Sequence, residues 1–289
     1  MTTLPALGWG SLGALSWGLS ALSWTVAIRR GVTVWPMLLW VFVCSLITAA
    51  GAAIAVEGAP TVASHAILGA IGAGLLYAIG DAFFFWAVDA WQVTLVTPIV
   101  ACSGAVSAGL AVLAGDRLAA VTVGGLALMV VGLITVATRE LRSGGRRSQA
   151  RRPLGPMMLA AGAACAFGLV FFVSGRTAGG DPLWLVAIAR AAAIPLVAAL
   201  CVARQGLAIP PQAWPWVVSA GFFDATGYAA FIQGSRFNLP IAAITTSQYA
   251  GVTVIGGVLL LRERFSLHQI VGVMMLVMGA AVVAGHGGG

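Results

Sequence analysis

Long apolar segments separated by short polar ones make up most of the chain. A helix needs about 20 predominantly apolar residues to cross the hydrocarbon core of a membrane. Ten segments meet this requirement, near residues 7–28, 33–56, 66–88, 92–114, 119–138, 154–176, 182–203, 213–235, 240–261 and 266–285. The pattern therefore predicts an all-α integral membrane protein with ten transmembrane helices.

The composition supports lipid as the main solvent. Of the 289 residues, 60% are apolar and only 8% are charged, whereas soluble domains carry about 25% charged residues. All 15 basic residues are arginines, and nearly all of them lie between apolar segments. We therefore interpret them as reporting orientation and contact with anionic lipid, and we expect no nucleic-acid partner.

The first apolar segment is long enough to span a membrane, and no basic residue precedes it. It is therefore interpreted as a retained helix rather than a cleaved signal peptide. Each of the four cysteines lies inside an apolar segment without paired spacing, which favours packing over disulfide or metal roles. They are Cys44, Cys102, Cys165 and Cys201.

The ten segments divide into two similar halves, joined by a linker with six arginines. We predict a first five-helix repeat over residues 1–138, a linker over 139–153 and a second repeat over 154–289. A shift of 147 residues aligns the halves at several positions. The aligned pairs are Gly74 with Gly221, Gly80 with Gly227, Asp116-Arg117 with Glu263-Arg264, Gly125 with Gly272, and Gly132 with Gly279. Because five is odd, the second repeat must have inverted topology, as in many secondary transporters.

The distribution of arginines between the loops predicts the orientation. Eleven lie on the side of the central linker, and three lie on the other side. Under the positive-inside rule the central linker is cytoplasmic and both termini lie outside.

Several motifs occur in an order that resembles the drug/metabolite transporter superfamily, in particular its bacterial EamA-type members. These are Trp17-Gly18 in the first span, Gly115-Asp116-Arg117-Leu118 and Arg262-Glu263-Arg264-Phe265 after the fourth span of each half, and the pairs Gly125/Gly132 and Gly272/Gly279 in the last spans. The resemblance implies a multi-pass protein of the bacterial inner membrane that exports small metabolites. Within the superfamily the chain looks most like exporters of aromatic amino acids.

The chain departs from the pattern of this superfamily at two positions. Members often carry an arginine within the second span of a repeat; Arg190 fits that place in the second half, but Trp40 occupies it in the first. The second half also has Phe167 where the first has Trp17.

Three ionisable side chains lie within predicted spans: Asp81, Arg190 and Asp224. Such residues cost about 2.5 kcal/mol or more at a helix centre, so they are the first functional candidates. Tyr77 precedes Asp81 by four residues, and Tyr228 follows Asp224 by four, so each pair shares a helix face. We expect each tyrosine to donate a hydrogen bond to its carboxylate, with both couples facing a central substrate site. The alternative is that each aspartate is satisfied locally, with Arg190 as a counter-ion.

Further candidates for substrate binding are aromatic or polar residues within the spans: Trp17, Ser20, Trp40, Gln248 and Tyr249. Trp17 lies in mid-membrane, and Gln248 and Tyr249 belong to an unusually polar ninth span. Pro98, inside the fourth span, removes a backbone hydrogen bond and is a candidate hinge, or equally a static kink.

The favoured function is export of neutral, mainly aromatic amino acids by alternating access of the two halves. The alternative is multidrug export of lipophilic cations, which the lack of a carboxylate in the first span disfavours. No HExxH, Gly-x-Ser-x-Gly or paired-His motif occurs, so we expect neither an enzyme nor a cofactor. The expected partners are a small-molecule substrate and membrane lipid. The sequence leaves open proton coupling, and whether the protein is a monomer or a homodimer.

Overall fold

The computed structural model describes residues 3–90, 96, 99–100, 102–117, 119–142, 154–204, 206–249, 251–253, 256, 271–272, 274–275, 278–279 and 282. Within these ranges the fold is all-helical, with no β-strand. This agrees with the all-α class predicted from the sequence.

Nine helices have defined bounds in these ranges. They are α1 (Thr3–Arg29), α2 (Val34–Val56), α3 (Ser64–Ala90), α4 (Ser103–Leu113), α5 (Ala120–Arg142), α6 (Leu154–Arg176), α7 (Pro182–Arg204), α8 (Trp214–Ser235) and α9 (Leu239–Thr246), and a short 3-10 turn, Pro211–Ala213, precedes α8.

Helices α1, α2, α3, α6 and α7 are long and apolar enough to cross a membrane. Their bounds lie within a few residues of the predicted spans. Gly31 separates α1 from α2 with a φ of 89°, a conformation that glycine adopts without a steric penalty. The chain is therefore a multi-pass membrane protein, while the count of ten spans stays a prediction.

The predicted ninth span, near residues 240–261, contains a local turn that the apolar pattern did not indicate. Helix α9 ends at Thr246, residues 247–248 form a turn, and helical structure resumes at Tyr249. The Ser247 hydroxyl and the Gln248 amide both donate to the carbonyl oxygen of Ile244, at 2.8 and 3.1 Å. Such side-chain bonds compete with the helical backbone pattern, which accounts for the break.

The helix contacts occur in pairs of similar extent. The most extensive contacts join α1 to α8 and α3 to α6. Two further contacts join α2 to α8 and α3 to α7, and another two join α1 to α9 and α4 to α6. The remaining large contacts join α2 to α7 and α4 to α9. Each of these contacts links a helix of residues 1–138 with a helix of residues 154–289, so the main core lies between the two parts of the chain.

Polar contacts tie the loop after α2 to the start of α7. The Glu57 carboxylate accepts hydrogen bonds from the backbone N–H groups of Leu183 and Trp184, at 3.2 and 3.3 Å, where the positive end of the α7 dipole favours an anion. Nearby, Asp181 accepts bonds from the hydroxyl and the backbone N–H of Thr61, at 2.7 and 3.1 Å. These bonds lower the pKa of Asp181. They fix one end of α7, the helix that carries Arg190.

Candidate functional site

A buried ion pair lies at the centre of the helix bundle. Arg190 of α7 donates from Nε and Nη2 to the two carboxylate oxygens of Asp224 on α8, both at 2.9 Å. Arg190 is fully buried, and Nε also lies 3.4 Å from the Ser45 hydroxyl of α2. Two parallel N–H···O bonds are the geometry in which a guanidinium holds a carboxylate most firmly. The pair therefore joins α2, α7 and α8.

Aromatic rings surround the Arg190 guanidinium. Its Cζ lies 4.1 Å from the ring centroid of Tyr77, 4.4 Å from that of Phe42 and 5.1 Å from that of Tyr228. Ring faces attract a cation within about 6 Å of the centroid. The rings thus replace part of the hydration that Arg190 gives up on burial.

Trp17 of α1 extends this group of rings. Its indole stacks on Phe171 at 5.6 Å and lies 6.3 Å from Tyr228 and 6.5 Å from Tyr249. Further ring contacts join Tyr77 to Phe42, Phe167 and Tyr228, and Phe171 to Phe231. We call these residues the central aromatic cluster: Trp17, Phe42, Tyr77, Phe167, Phe171, Tyr228, Phe231 and Tyr249.

Two glycines give the largest rings room at equivalent places. A Cβ at Gly227 would lie 2.8 Å from Cδ1 of Trp17, and a Cβ at Gly80 would lie 2.8 Å from Cε1 of Phe167. Gly80 and Gly227 are one of the pairs that the 147-residue shift aligns, and Phe167 is the counterpart of Trp17. Both contacts need a residue without a side chain.

The hydrogen bond predicted between Tyr228 and Asp224 is not formed. Arg190 occupies both oxygens of Asp224, and the Tyr228 hydroxyl bonds the Ser174 hydroxyl at 2.7 Å. The alternative, in which Arg190 is the counter-ion, is therefore the one that the structure shows for Asp224. A guanidinium offers two charge-assisted bonds, so it displaces a neutral hydroxyl from a carboxylate.

Asp81 differs, because its Oδ2 is buried and has no hydrogen-bonding partner among the residues described. The bond expected from Tyr77 does not satisfy this oxygen. Asp81 lies one turn after Tyr77 on α3 and interacts electrostatically with Arg190, Asp224 and Tyr249.

Two further polar atoms of this region, Trp17 Nε1 and Arg190 Nη1, are buried and unpaired within the described part of the chain. Gln248 Oε1, one residue before Tyr249, is also buried and unpaired there, while its amide nitrogen bonds the Ile244 carbonyl oxygen. Buried polar groups are nearly always hydrogen-bonded, so a group of unpaired donors and acceptors calls for a specific explanation. Recognition of a polar ligand is one such explanation.

The remaining predicted site residues do not join this group. Ser20 donates to the carbonyl oxygen of Ala220 at 3.0 Å, a contact between α1 and α8. Trp40 donates from Nε1 to the carbonyl oxygen of Leu207 at 2.9 Å, and its ring meets Trp214 at 5.1 Å. Trp40 therefore packs near the start of α8, away from the cluster. Pro98 lies outside the described residues.

Sequence reasoning did not single out several members of the site: Phe42, Phe171, Phe231, Ser45 and Ser174. Phenylalanine and serine are common in apolar spans, so their identity carries no signal by itself. Phe171 and Ser174 follow Phe167 by four and seven residues, which puts them on one helix face. That spacing was the available signal.

A cavity of about 320 Å³ lies at one end of the bundle. Its lining residues are Asp116, Arg117, Gly175, Arg176, Ser235, Phe237, Asn238, Leu239 and Pro240. Arg176 pairs with Asp116 at 2.9 Å in its wall. No group of His, Cys, Asp or Glu among the described residues could hold a metal ion.

Comparisons with known proteins agree with this architecture. A solved structure titled "Crystal structure of protein" aligns with 96% of this chain and 95% of its own, with a TM-score of 0.78 and 19% sequence identity. That likeness shows a shared fold and nothing further. No curated protein matches the chain by sequence. Residues 154–285 match the model of the EamA-like transporter family, and this match supports the drug/metabolite transporter superfamily and transport of small molecules across a membrane.

Proposed function

We propose that the protein exports neutral, mainly aromatic amino acids by alternating access of two inverted five-helix repeats, residues 1–138 and 154–289, joined by the linker 139–153. The observation that carries this proposal is the central aromatic cluster with its buried, unpaired polar atoms. Ligand sites of this type combine apolar and aromatic walls with a few polar groups that fix orientation.

The chemistry of the cluster suits a molecule with an aromatic body and a small polar head. Trp17, Phe171 and Tyr249 offer ring faces and edges, and aromatic pairs gain about 0.5–1.5 kcal/mol beyond the burial of their surface. The unpaired atoms comprise two donors, Trp17 Nε1 and Arg190 Nη1, and one acceptor, Asp81 Oδ2. A zwitterion can satisfy both kinds.

The matched helix contacts support the proposed repeat. The α1–α8 contact corresponds to α6–α3, and the Trp17–Gly227 contact corresponds to Phe167–Gly80. Two structurally similar halves that meet at a central site can rock around it and open alternately to either side. We place the protein in the bacterial inner membrane, with the arginine-rich linker in the cytoplasm.

One observation favours the alternative, export of lipophilic cations. Asp81 has a buried carboxylate oxygen without a partner among the described residues, and it interacts electrostatically with Tyr77 and Tyr249 of the central aromatic cluster. Carboxylates combined with aromatic faces attract cations generally.

The test is reconstitution of the purified protein in liposomes, with uptake of labelled amino acids and of lipophilic cationic dyes measured side by side. We expect phenylalanine and tryptophan to move, and Trp17→Ala to reduce their flux at least tenfold. Trp40→Phe is the matched control, because this tryptophan packs away from the cluster. The amino-acid flux of this variant should equal that of the wild type. Flux of dyes without flux of any amino acid would overturn the proposal.

A further inference from the structure

Asp81 and Asp224 lie on α3 and α8, which hold equivalent places in the proposed repeat, but their surroundings differ. Both carboxylate oxygens of Asp224 accept hydrogen bonds of 2.9 Å from Arg190. Asp81 is buried, and its Oδ2 has no partner in the described ranges. Only one of the two carboxylates is therefore free to bind something else.

The charged groups around Asp81 compensate it only in part. The Arg190 guanidinium attracts the Asp81 carboxylate, and the Asp224 carboxylate opposes this attraction. Tyr77 on its own helix and Tyr249 also interact with it, and Tyr228 lies beyond, bonded to Ser174. The parts of α1 and α6 within the cluster contribute uncharged rings. An isolated carboxylate away from water is so costly that a proton or a cation must neutralise it.

Arg190 makes no hydrogen bond to the unpaired oxygen of Asp81 in this structure. Its Nε and Nη2 both point at Asp224, its Nη1 has no hydrogen-bonding partner among the described residues, and the ring faces of Phe42, Tyr77 and Tyr228 hold the guanidinium in place. A shift toward Asp81 would leave Asp224 as the uncompensated carboxylate. The ion pair is thus the fixed part of the site.

We propose that Asp81 is the receptor for the ammonium group of the transported molecule, whereas the Arg190–Asp224 pair only positions the helices around it. This inference rests on the export function proposed above and deepens it. The substrates are compounds that combine an apolar or aromatic body with a protonated amine. N-acylated and purely anionic compounds are excluded, because they leave the Asp81 carboxylate unpaired.

Binding then exchanges one positive charge for another. In the empty site Asp81 carries a proton. When a group R–NH₃⁺ arrives, the O–H bond of the carboxyl breaks, the proton passes to the solution, and a carboxylate–ammonium ion pair forms. Departure of the substrate reverses these events, with a proton taken from the side to which the site is then open. No covalent bond to the substrate is made.

The charge moved in each cycle follows from this exchange. A zwitterionic amino acid leaving for one entering proton moves one positive charge inward. An aromatic amine cation leaving for one proton moves none. A membrane potential that is negative inside should therefore accelerate export of the amino acid and leave export of the amine unchanged.

The first experiment measures proton release from purified protein in a weakly buffered detergent solution, with a pH-sensitive dye. The probes are phenylalanine, phenethylamine and N-acetylphenylalanine. We expect the wild type to release one proton for each phenylalanine or phenethylamine bound, and none with N-acetylphenylalanine. Asp81→Asn should release none, while Asp181→Asn, which removes a loop carboxylate, should behave like the wild type.

Asp81→Glu is a second variant that keeps the proposal testable if Asp81→Asn does not fold. It should keep the proton stoichiometry while shifting the pH at which release is half-maximal, because the longer side chain changes the surroundings of the carboxyl group. An unshifted profile, or equal release from Asp81→Asn, would overturn the role of Asp81.

The second experiment repeats the flux assay with these probes in liposomes carrying an imposed potential. Transport of phenylalanine without proton release, or equal transport of its N-acetyl form, would overturn the ammonium receptor and leave the export function standing. If neither the amino acid nor the amine moves, the export function fails, and this inference fails with it.

Discussion

Helices α3 and α8 hold equivalent places in the proposed repeat and carry the same residue pair in reversed order, yet the two pairs have different surroundings. On α8, Asp224 is held by Arg190 and Tyr228 by Ser174. On α3, Tyr77 packs its ring on Arg190, and Asp81 keeps a buried oxygen without a partner among the described residues. One side of the site is thus fixed and the other is available. In the proposed repeat the same groups occur twice, and a single arginine gives the two aspartates different surroundings.

The largest expected effect is the difference in stability between the two aspartate variants. Asp224→Asn removes one partner of a buried ion pair, which typically costs about 3–5 kcal/mol because the other charge is left uncompensated. Asp81→Asn removes a carboxyl group that has no counter-ion, so we expect no loss. Thermal unfolding of both variants in the same detergent provides the measurement.

The control for this comparison is Asp116→Asn, which breaks the partly exposed pair with Arg176. Exposed pairs contribute about 1 kcal/mol or less. Similar losses in Asp81→Asn and Asp224→Asn would show that the two helices do not differ in the proposed way.

A smaller loss of stability should follow from replacing Gly80 or Gly227 by alanine. Gly227→Ala pushes a methyl group toward Trp17, and Gly80→Ala does the same toward Phe167. Overpacking of this kind costs about 1–3 kcal/mol, and it should also lower the flux of aromatic amino acids. Gly72→Ala on α3 is the matched control, since nothing lies within 4 Å of its Cβ. If Gly80→Ala and Gly227→Ala are as mild as this control, the rings do not depend on these glycines.

The smallest effect concerns the hydroxyl that ties α8 to α6. Tyr228→Phe removes the bond to Ser174 and should cost about 0.5–1.5 kcal/mol, the usual net contribution of a hydrogen bond. Ser174→Ala and the double variant complete a double-mutant cycle, read by thermal unfolding. Because the bond can be lost only once, the double variant should cost less than the sum of the two single variants. Additive losses would mean that the two hydroxyls act independently.

Much of the candidate site could be predicted from the chain alone. Trp17, Tyr77, Asp81, Arg190, Asp224, Tyr228 and Tyr249 were selected as rare polar or aromatic residues within apolar spans, and the fold brings all seven into one region. Trp40 was selected for the same reason and packs elsewhere. Aromatic residues serve equally in binding sites and in ordinary packing, and spacing along one helix cannot separate the two uses.

The hydrogen-bond partners could not be predicted in this way. The expectation that each tyrosine would bond the aspartate on its own helix used only local spacing. Arg190 comes from a different helix, 34 residues away from Asp224 in the chain, and its two charge-assisted bonds are stronger than one bond from a tyrosine. The break after Thr246 was missed similarly, since side-chain bonds to the Ile244 carbonyl oxygen leave no sign in the apolar pattern.

The sequence by itself determined that the protein lies in lipid, that its secondary structure is helical, and which residues are available for chemistry. These follow from apolar length and from the cost of charge in lipid, which are properties of each segment alone. Only the tertiary structure decided which aspartate is paired. That outcome depends on which helix places a guanidinium within 3 Å of a carboxylate, and such a distance is set by the packing of separate helices.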